Sequence, residues 1–193
     1  MSTFHAHRVI LQEGASTLAE LGKISKKMTP IRITGVKPDV FKNMLFYIYG
    51  GKVPEDELKA KAMEFIDAAD KYGVVNLKLE AEACYAGSVK LSSDNVIDNL
   101  LYADSKNCAL LKEVVIDYIA ENGDDILGKV SFDGVPGSLM TDLLTATTRA
   151  KKDDEVSNAD YNTMRVSTLR QKLHEKGLSV DGSREAMIAL IKE

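Results

Sequence analysis

The stretch from Val36 to Val53, VKPDVFKNMLFYIYGGKV, constrains the fold of this 193-residue chain more than any other. Phe41, Met44, Leu45 and Ile48 recur at i, i+3, i+4 and i+7, the spacing of one stripe along a helix. Pro38 suits the first helical turn, where a missing N–H leaves no bond unmade. Gly50 and Gly51 supply the permissive backbone on which a helix ends. Just upstream, Ile31-Arg32-Ile33 alternates apolar and polar in the manner of a short strand. The segment reads as strand, turn, buried helix and Gly-Gly stop, with the stripe as a packing face.

Three ordered blocks extend this reading. Phe41-Lys42 and the run Phe46-Tyr47-Ile48-Tyr49-Gly50-Gly51-Lys52 resemble the central signature of BTB/POZ domains. Phe4-His5-Ala6-His7-Arg8-Val9-Ile10-Leu11 is similar to the family's F-x-A-H-K/R-x-x-L. Ala68-Ala69-Asp70-Lys71-Tyr72, then Leu77-Lys78 and Glu82, is similar to its A-A-D-K-Y…L-K…E. Within the family the chain resembles the speckle-type POZ proteins, substrate adaptors of cullin-RING ubiquitin ligases. The resemblance implies a mainly α fold with a few short strands and a protein-docking role. Relatives place a strand and a dimer-forming helix before the first block. Here Met1 stands three residues before Phe4, so a monomer or a weak dimer is expected.

Cullin-binding relatives carry, in the next loop, a hydrophobic residue followed two places on by glutamate. The corresponding stretch is GKISKKMTP, Gly22 to Pro30, and Ile24, Lys26 and Met28 are its cullin-facing candidates. Lys26 stands where the acid is expected. Read from composition alone, a lysine-rich loop is a solvated surface.

Chain length allows one medium domain plus a small one, and 45% hydrophobic residues are enough for a sizeable core. Cys84 and Cys108 have no partner at metal-ligand spacing and read as small buried apolar residues of a reducing compartment. His5 and His7 lack a third ligand nearby and read as helix-start and packing residues. No apolar run approaches the ~20 residues of a membrane span, and no leader pattern is read at the start. A soluble, intracellular protein of the nucleus, the cytoplasm or both is expected. Residues 161–193 hold six basic and four acidic side chains, a net +2 that leaves −6 for the rest of a chain totalling −4. An acidic body with a basic end is the pattern of two modules with different partners.

Along the body, Phe4 to about Leu21 reads as two short helices with Val9, Ile10, Leu18 and Leu21 inward. Leu58, Ala62, Phe65, Ile66 and Ala69 define another helix that Gly73 stops, with Glu55, Asp56 and Glu57 near its positive end. Asp67 and Asp70 fit an exposed face of it better than a catalytic pair. Leu77, Ala81 and Cys84 share the face of a third helix. Ser92 or Ser93 then caps a helical pair, one face carrying Val96, Ile97, Leu100 and Leu101 and the next Leu111, Val114, Val115 and Tyr118. Gly123 ends the pair. This pair resembles the "3-box" or the start of a BACK domain, which in relatives extends the cullin contact. One more helix follows over Ser138–Arg149, with Leu139, Leu143 and Leu144 inward. Ala150 to Asp160, AKKDDEVSNAD, reads as a flexible linker.

The last segment changes character. Ser167 reads as the N-cap of a helix carrying Leu169 and Leu173 and stopped at Gly177; Gly182-Ser183 opens another with Met187, Leu190 and Ile191 inward. Leu169, Leu173, Gly177, Leu178, Gly182, Arg184, Met187 and Ile191 resemble the pattern of SAP modules, which usually bind DNA, often AT-rich. The resemblance implies that Arg165, Arg170, Lys172 and Arg184 meet duplex-DNA phosphates, since a helix N-terminus beside an arginine attracts an anion. The competing reading is a small helical hairpin that binds protein or merely packs. His174 reads as a solvent-facing residue.

Phosphate-loop, Rossmann and nucleophile-elbow motifs are absent, and no Cys/His cluster occurs. No enzyme activity, cofactor or metal is expected. The expected layout is a BTB/POZ domain over residues 1–90, a 3-box/BACK-like extension over 91–149, a linker over 150–160 and a SAP-like hairpin over 161–193. The expected function is a cullin-RING ligase adaptor tethered to DNA or chromatin. The alternative is a cullin-independent chromatin or transcription scaffold contacting other BTB proteins.

Overall fold

The computed structural model describes residues 2–24, 30–149 and 161–192, and the linker expected over 150–160 lies outside them. The chain forms two compact units, the first ending at Ser88 and the second starting at Val89.

In the first unit, α1 (Arg8–Gly14) and α2 (Ser16–Ile24) lead to α3 (Pro38–Ile48), the helix of the central stripe. Pro38 occupies the first turn of α3, and Val40, Phe41, Met44 and Leu45 are buried. Gly50 ends the helix in the left-handed region, at φ 86°. The Phe41 ring meets Phe4 at 5.4 Å and Tyr72 edge-on at 6.0 Å, so the first and third sequence blocks close over the second. Ile48, the last member of the stripe, is half-buried.

The helix expected across Leu58–Ala69 is two helices, α4 (Glu55–Ala60) and α5 (Ala62–Tyr72). Lys61 interrupts them at φ −130° and ψ 26°, and its ammonium bridges Asp39 and Glu57, each at 2.7 Å. The break lets α4 and α5 both lie against α6 (Val75–Ser88). Gly73 caps α5 in the left-handed region, as expected. Asp70, on the exposed face, pairs with the buried Lys78 at 3.0 Å.

Three expectations need correction here. Val9 is 70% exposed and Leu21 is exposed, while Ala15, Leu18 and Ala19 are buried. Ala15 adopts an extended φ of −156° between the two helices, so a stripe read through both loses register. The segment Ile31–Ile33 has no strand pairing; an alternating pattern forms a strand only where a ladder partner is present. Among the described residues, pairing of extended backbone is limited to one parallel bridge between Cys108 and Gly182.

The second unit starts with α7 (Val96–Ser105) and α8 (Ala109–Glu121), joined through Asn107, whose φ of 52° suits asparagine. Val96, Leu100, Leu111 and Val115 are buried as expected, whereas Leu101 is exposed. Ser92 and Ser93 do not cap α7; Asn95 precedes it and accepts the Ser92 N–H at 2.9 Å. Gly123 opens the short α9 (Gly123–Leu127) instead of closing α8. In α10 (Gly137–Arg149), Leu139 and Leu143 are buried but Leu144 is 66% exposed. Lys112 of α8 ties Asp104 at 3.1 Å to Asp142 of α10 at 2.7 Å.

Candidate functional site

The terminal hairpin is α11 (Val166–Glu175) and α12 (Arg184–Lys192). Gly177 ends α11 at φ 68°, and the Leu178 N–H returns to the Leu173 carbonyl at 2.9 Å. Ser183 Oγ accepts the Ala186 N–H at 3.3 Å, which caps α12. Ser167 is not the N-cap of α11: Arg165 takes that position in extended backbone, without a side-chain cap bond. The hairpin encloses Val166, Leu169, Leu173, Met187, Ile188 and Ile191, and Ala109 of α8 joins the same apolar cluster.

This seating decides where the basic residues go. Glu113 and Asp117 lie one turn apart on α8 and present carboxylates on one face. Both Glu113 oxygens accept the Val166 N–H at 3.2 Å, at the amino end of α11. Arg184 donates to Glu113 Oε1 at 3.4 Å and to the Asn162 carbonyl at 3.0 Å. Arg165 pairs with Asp117. The Arg184 and Glu113 side chains are 15% and 10% exposed, so this contact is largely dry; the Arg165–Asp117 pair is half-open to water. Burial holds the Glu113 carboxyl above the usual carboxylate range, although the Val166 N–H and both guanidiniums pull it down.

A cleft of about 170 Å³ beside this cluster is lined by Lys112, Glu113, Asp142, Asn162, Arg184 and Glu185. Burial works against the Lys112 ammonium there, yet the Asp142 and Asp104 carboxylates hold its pKa above the usual lysine value. Of the four basic candidates, the structure brings Arg165 and Arg184 together on one face of α8. Arg170 and Lys172 sit further along α11, half-buried, and His174 is exposed. Glu113, Asp117 and Asn162 escaped the sequence reading; the i, i+4 acids are visible in the sequence, but nothing in it aims them at the hairpin.

In the first unit, Ile24 closes α2, and Lys26 and Met28 lie outside the described residues. A cleft of about 740 Å³ is lined by Phe4, Leu11, Leu18, Ile33, Phe41 and Leu45, among others. Tyr49 is held at its hydroxyl by the His7 backbone N–H at 2.6 Å and faces the His7 ring nitrogen at 2.8 Å.

A family model described as BTB/POZ domain matches residues 1–84, and one described as SAP domain matches residues 160–193. The chain carries a BTB/POZ domain and a SAP domain. Two proteins of Mus musculus, TD and POZ domain-containing protein 1-like and TD and POZ domain-containing protein 1, are each similar to it at 33% identity over 126 residues. Each match covers 64% of this chain and 34% of the mouse protein, so it spans about a third of the length of these curated relatives. They are loosely consistent with the speckle-type POZ resemblance. BTB/POZ and SAP domains are typically non-catalytic modules, the first pointing to protein interaction and the second to DNA binding. No helix among the described residues is long and apolar enough to cross a membrane.

Proposed function

We propose that the chain is a non-enzymatic adaptor: its BTB/POZ domain docks a cullin scaffold of a ubiquitin ligase, and its SAP domain tethers the assembly to duplex DNA in the nucleus. The observation that carries this reading is the order of parts. A BTB/POZ domain is followed by the helical pair α7 and α8, which we read as a 3-box-like extension, and then by a SAP domain. Ile24, Lys26 and Met28 are the residues assigned to the cullin, and Arg165, Arg170, Lys172 and Arg184 those assigned to DNA.

The test is a pull-down of the purified chain with a cullin N-terminal domain, followed by titration. Binding is expected to be weak and to tighten in Lys26→Glu, because lysine stands where cullin-binding relatives carry an acid. Absence of binding by both chains removes the cullin assignment. Tight wild-type binding that Lys26→Glu leaves unchanged removes the placement of the loop motif. The same lysine favours a second reading, a scaffold whose BTB/POZ domain contacts other BTB proteins and no cullin. Capture of a BTB domain with no cullin binding selects it.

A further inference from the structure

Two of the four side chains that the DNA reading assigns to phosphate, Arg165 and Arg184, already hold an oxyanion supplied by the chain itself. Glu113 occupies the amino end of α11 through the Val166 N–H and contacts Arg184, and Asp117 takes Arg165. We propose that Glu113 and Asp117 are a built-in competitor for nucleic-acid phosphate, closing the SAP domain until DNA displaces them. The proposal rests on the DNA reading given above.

The donor set is the first reason. A backbone N–H at a helix start flanked by two guanidiniums is the arrangement that receives a phosphate, and a carboxylate presents the same pair of anionic oxygens to it. Geometry is the second. Glu113 and Asp117 are one turn apart, so the two acids engage or release as one face of α8. The third is that the contact can open. Val166, Leu169, Leu173, Met187, Ile188 and Ile191 all belong to the hairpin, and α8 adds Ala109 with the partly buried Leu110. The hairpin therefore keeps most of its own core when α8 withdraws. Burial also raises the Glu113 carboxyl above its usual range, a sign that its charge is imperfectly compensated in the closed arrangement. A phosphate approaching from solvent competes with a partner that is itself under strain of desolvation.

The experiment is fluorescence anisotropy of a labelled AT-rich duplex at low salt, with the full chain throughout. Glu113→Gln/Asp117→Asn is expected to bind at least about fivefold tighter than wild type, since apparent Kd scales inversely with the open fraction. Asp124→Asn/Asp125→Asn, a charge-matched change on α9, should give no comparable gain. Adding Arg184→Ala to the Glu113→Gln/Asp117→Asn chain should cancel most of the gain, the coupling expected of groups in contact. Unchanged affinity in Glu113→Gln/Asp117→Asn, or an equal gain in the α9 variant, overturns the competitor and leaves DNA binding standing. No binding by any of these chains overturns the DNA reading and the competitor with it. Should the double variant melt early by circular dichroism, Asp117→Asn alone, at the half-open pair, carries the test. A smaller gain is then expected, and none would overturn the proposal.

Discussion

Lys59 and Lys61 in the BTB/POZ domain and Arg165 and Arg184 in the SAP domain all find carboxylates, but by different routes. Lys59 pairs with Glu55 at i, i+4 on a surface largely open to water, and the more enclosed Lys61 spans Glu57 at i, i+4 and Asp39 of α3. The i, i+4 pairs follow from local chain spacing, and the exposed Lys59–Glu55 pair contributes little to stability. Arg184 and Glu113 stand 71 residues apart and Arg165 and Asp117 48 apart, and the first of these pairs is mostly dry. There the energies at stake are larger in both directions. Ions taken out of water must be well matched, and removing one partner strands the other. The comparison teaches that charge on a helix says little about its partner until the tertiary fold sets the dielectric around it.

The largest expected effect lies in the BTB/POZ core. Phe41→Ala should destabilise by about 3–5 kcal/mol, because Phe41 is 6% exposed and touches two aromatic rings. A loss below about 1 kcal/mol on chemical denaturation contradicts the placement of that ring in the core.

The ion pairs come next and test the comparison directly. Glu113→Ala should destabilise by about 1–3 kcal/mol, the cost of leaving a buried donor unsatisfied, with the Val166 N–H losing its acceptor and Arg184 losing its carboxylate while keeping the Asn162 carbonyl. Glu55→Ala at the exposed Lys59 pair should leave the denaturation midpoint within experimental scatter. Equal losses from the two variants would erase the distinction drawn above.

Two glycines sharpen it on a smaller scale. Gly73 and Gly177 have nearly equal φ angles, 71° and 68°, at the ends of α5 and α11. A Cβ at Gly73 would lie 3.1 Å from both Ser16 Oγ and Thr17 Oγ1, whereas one at Gly177 would meet nothing within 4 Å. Left-handed backbone alone costs a non-glycine residue about 1–2 kcal/mol, so Gly177→Ala should sit near the lower value and Gly73→Ala at or above the upper. Thermal melts of the two single variants compare them.

The smallest effect is a pH dependence. Burial holds the Glu113 carboxyl above the usual carboxylate range in the folded state. For an acid shifted this way, the stabilising contribution is complete below the unfolded value and is lost as pH rises through the folded one. Glu113→Gln keeps an acceptor oxygen and removes the charge. Its stability relative to wild type should therefore rise as pH increases through that window and level off at neutrality. A difference that is flat across the window would mean that the neighbouring N–H and guanidiniums fully compensate the burial.

Much of the architecture was legible because it rests on near-neighbour spacing. The Phe41–Leu45 stripe, Pro38 at the start of α3, Gly73 and Gly177 past the ends of α5 and α11, and Ser183 capping α12 are each set within one or two turns of chain. Misreadings occurred where a local break intervenes. Ala15 resets the register between α1 and α2 and leaves Val9 outside; Lys61 divides what periodicity alone reads as one helix. Leu144 continues an apolar run, yet it falls on the side of α10 away from Leu139 and Leu143.

The sequence by itself determined which segments are helices, most of their buried faces and the order of the BTB/POZ and SAP domains, since these follow from spacing, caps and short motifs. Tertiary structure alone decided what the SAP domain's arginines face. Arg165, Arg184 and the Val166 N–H meet Glu113 and Asp117 because Ala109 of α8 shares the hairpin's apolar cluster. That apolar contact, between segments more than fifty residues apart, carries no periodic signal. Yet burying it brings the acidic face of α8 to the basic end of the hairpin, where desolvation fixes how much each charge is worth.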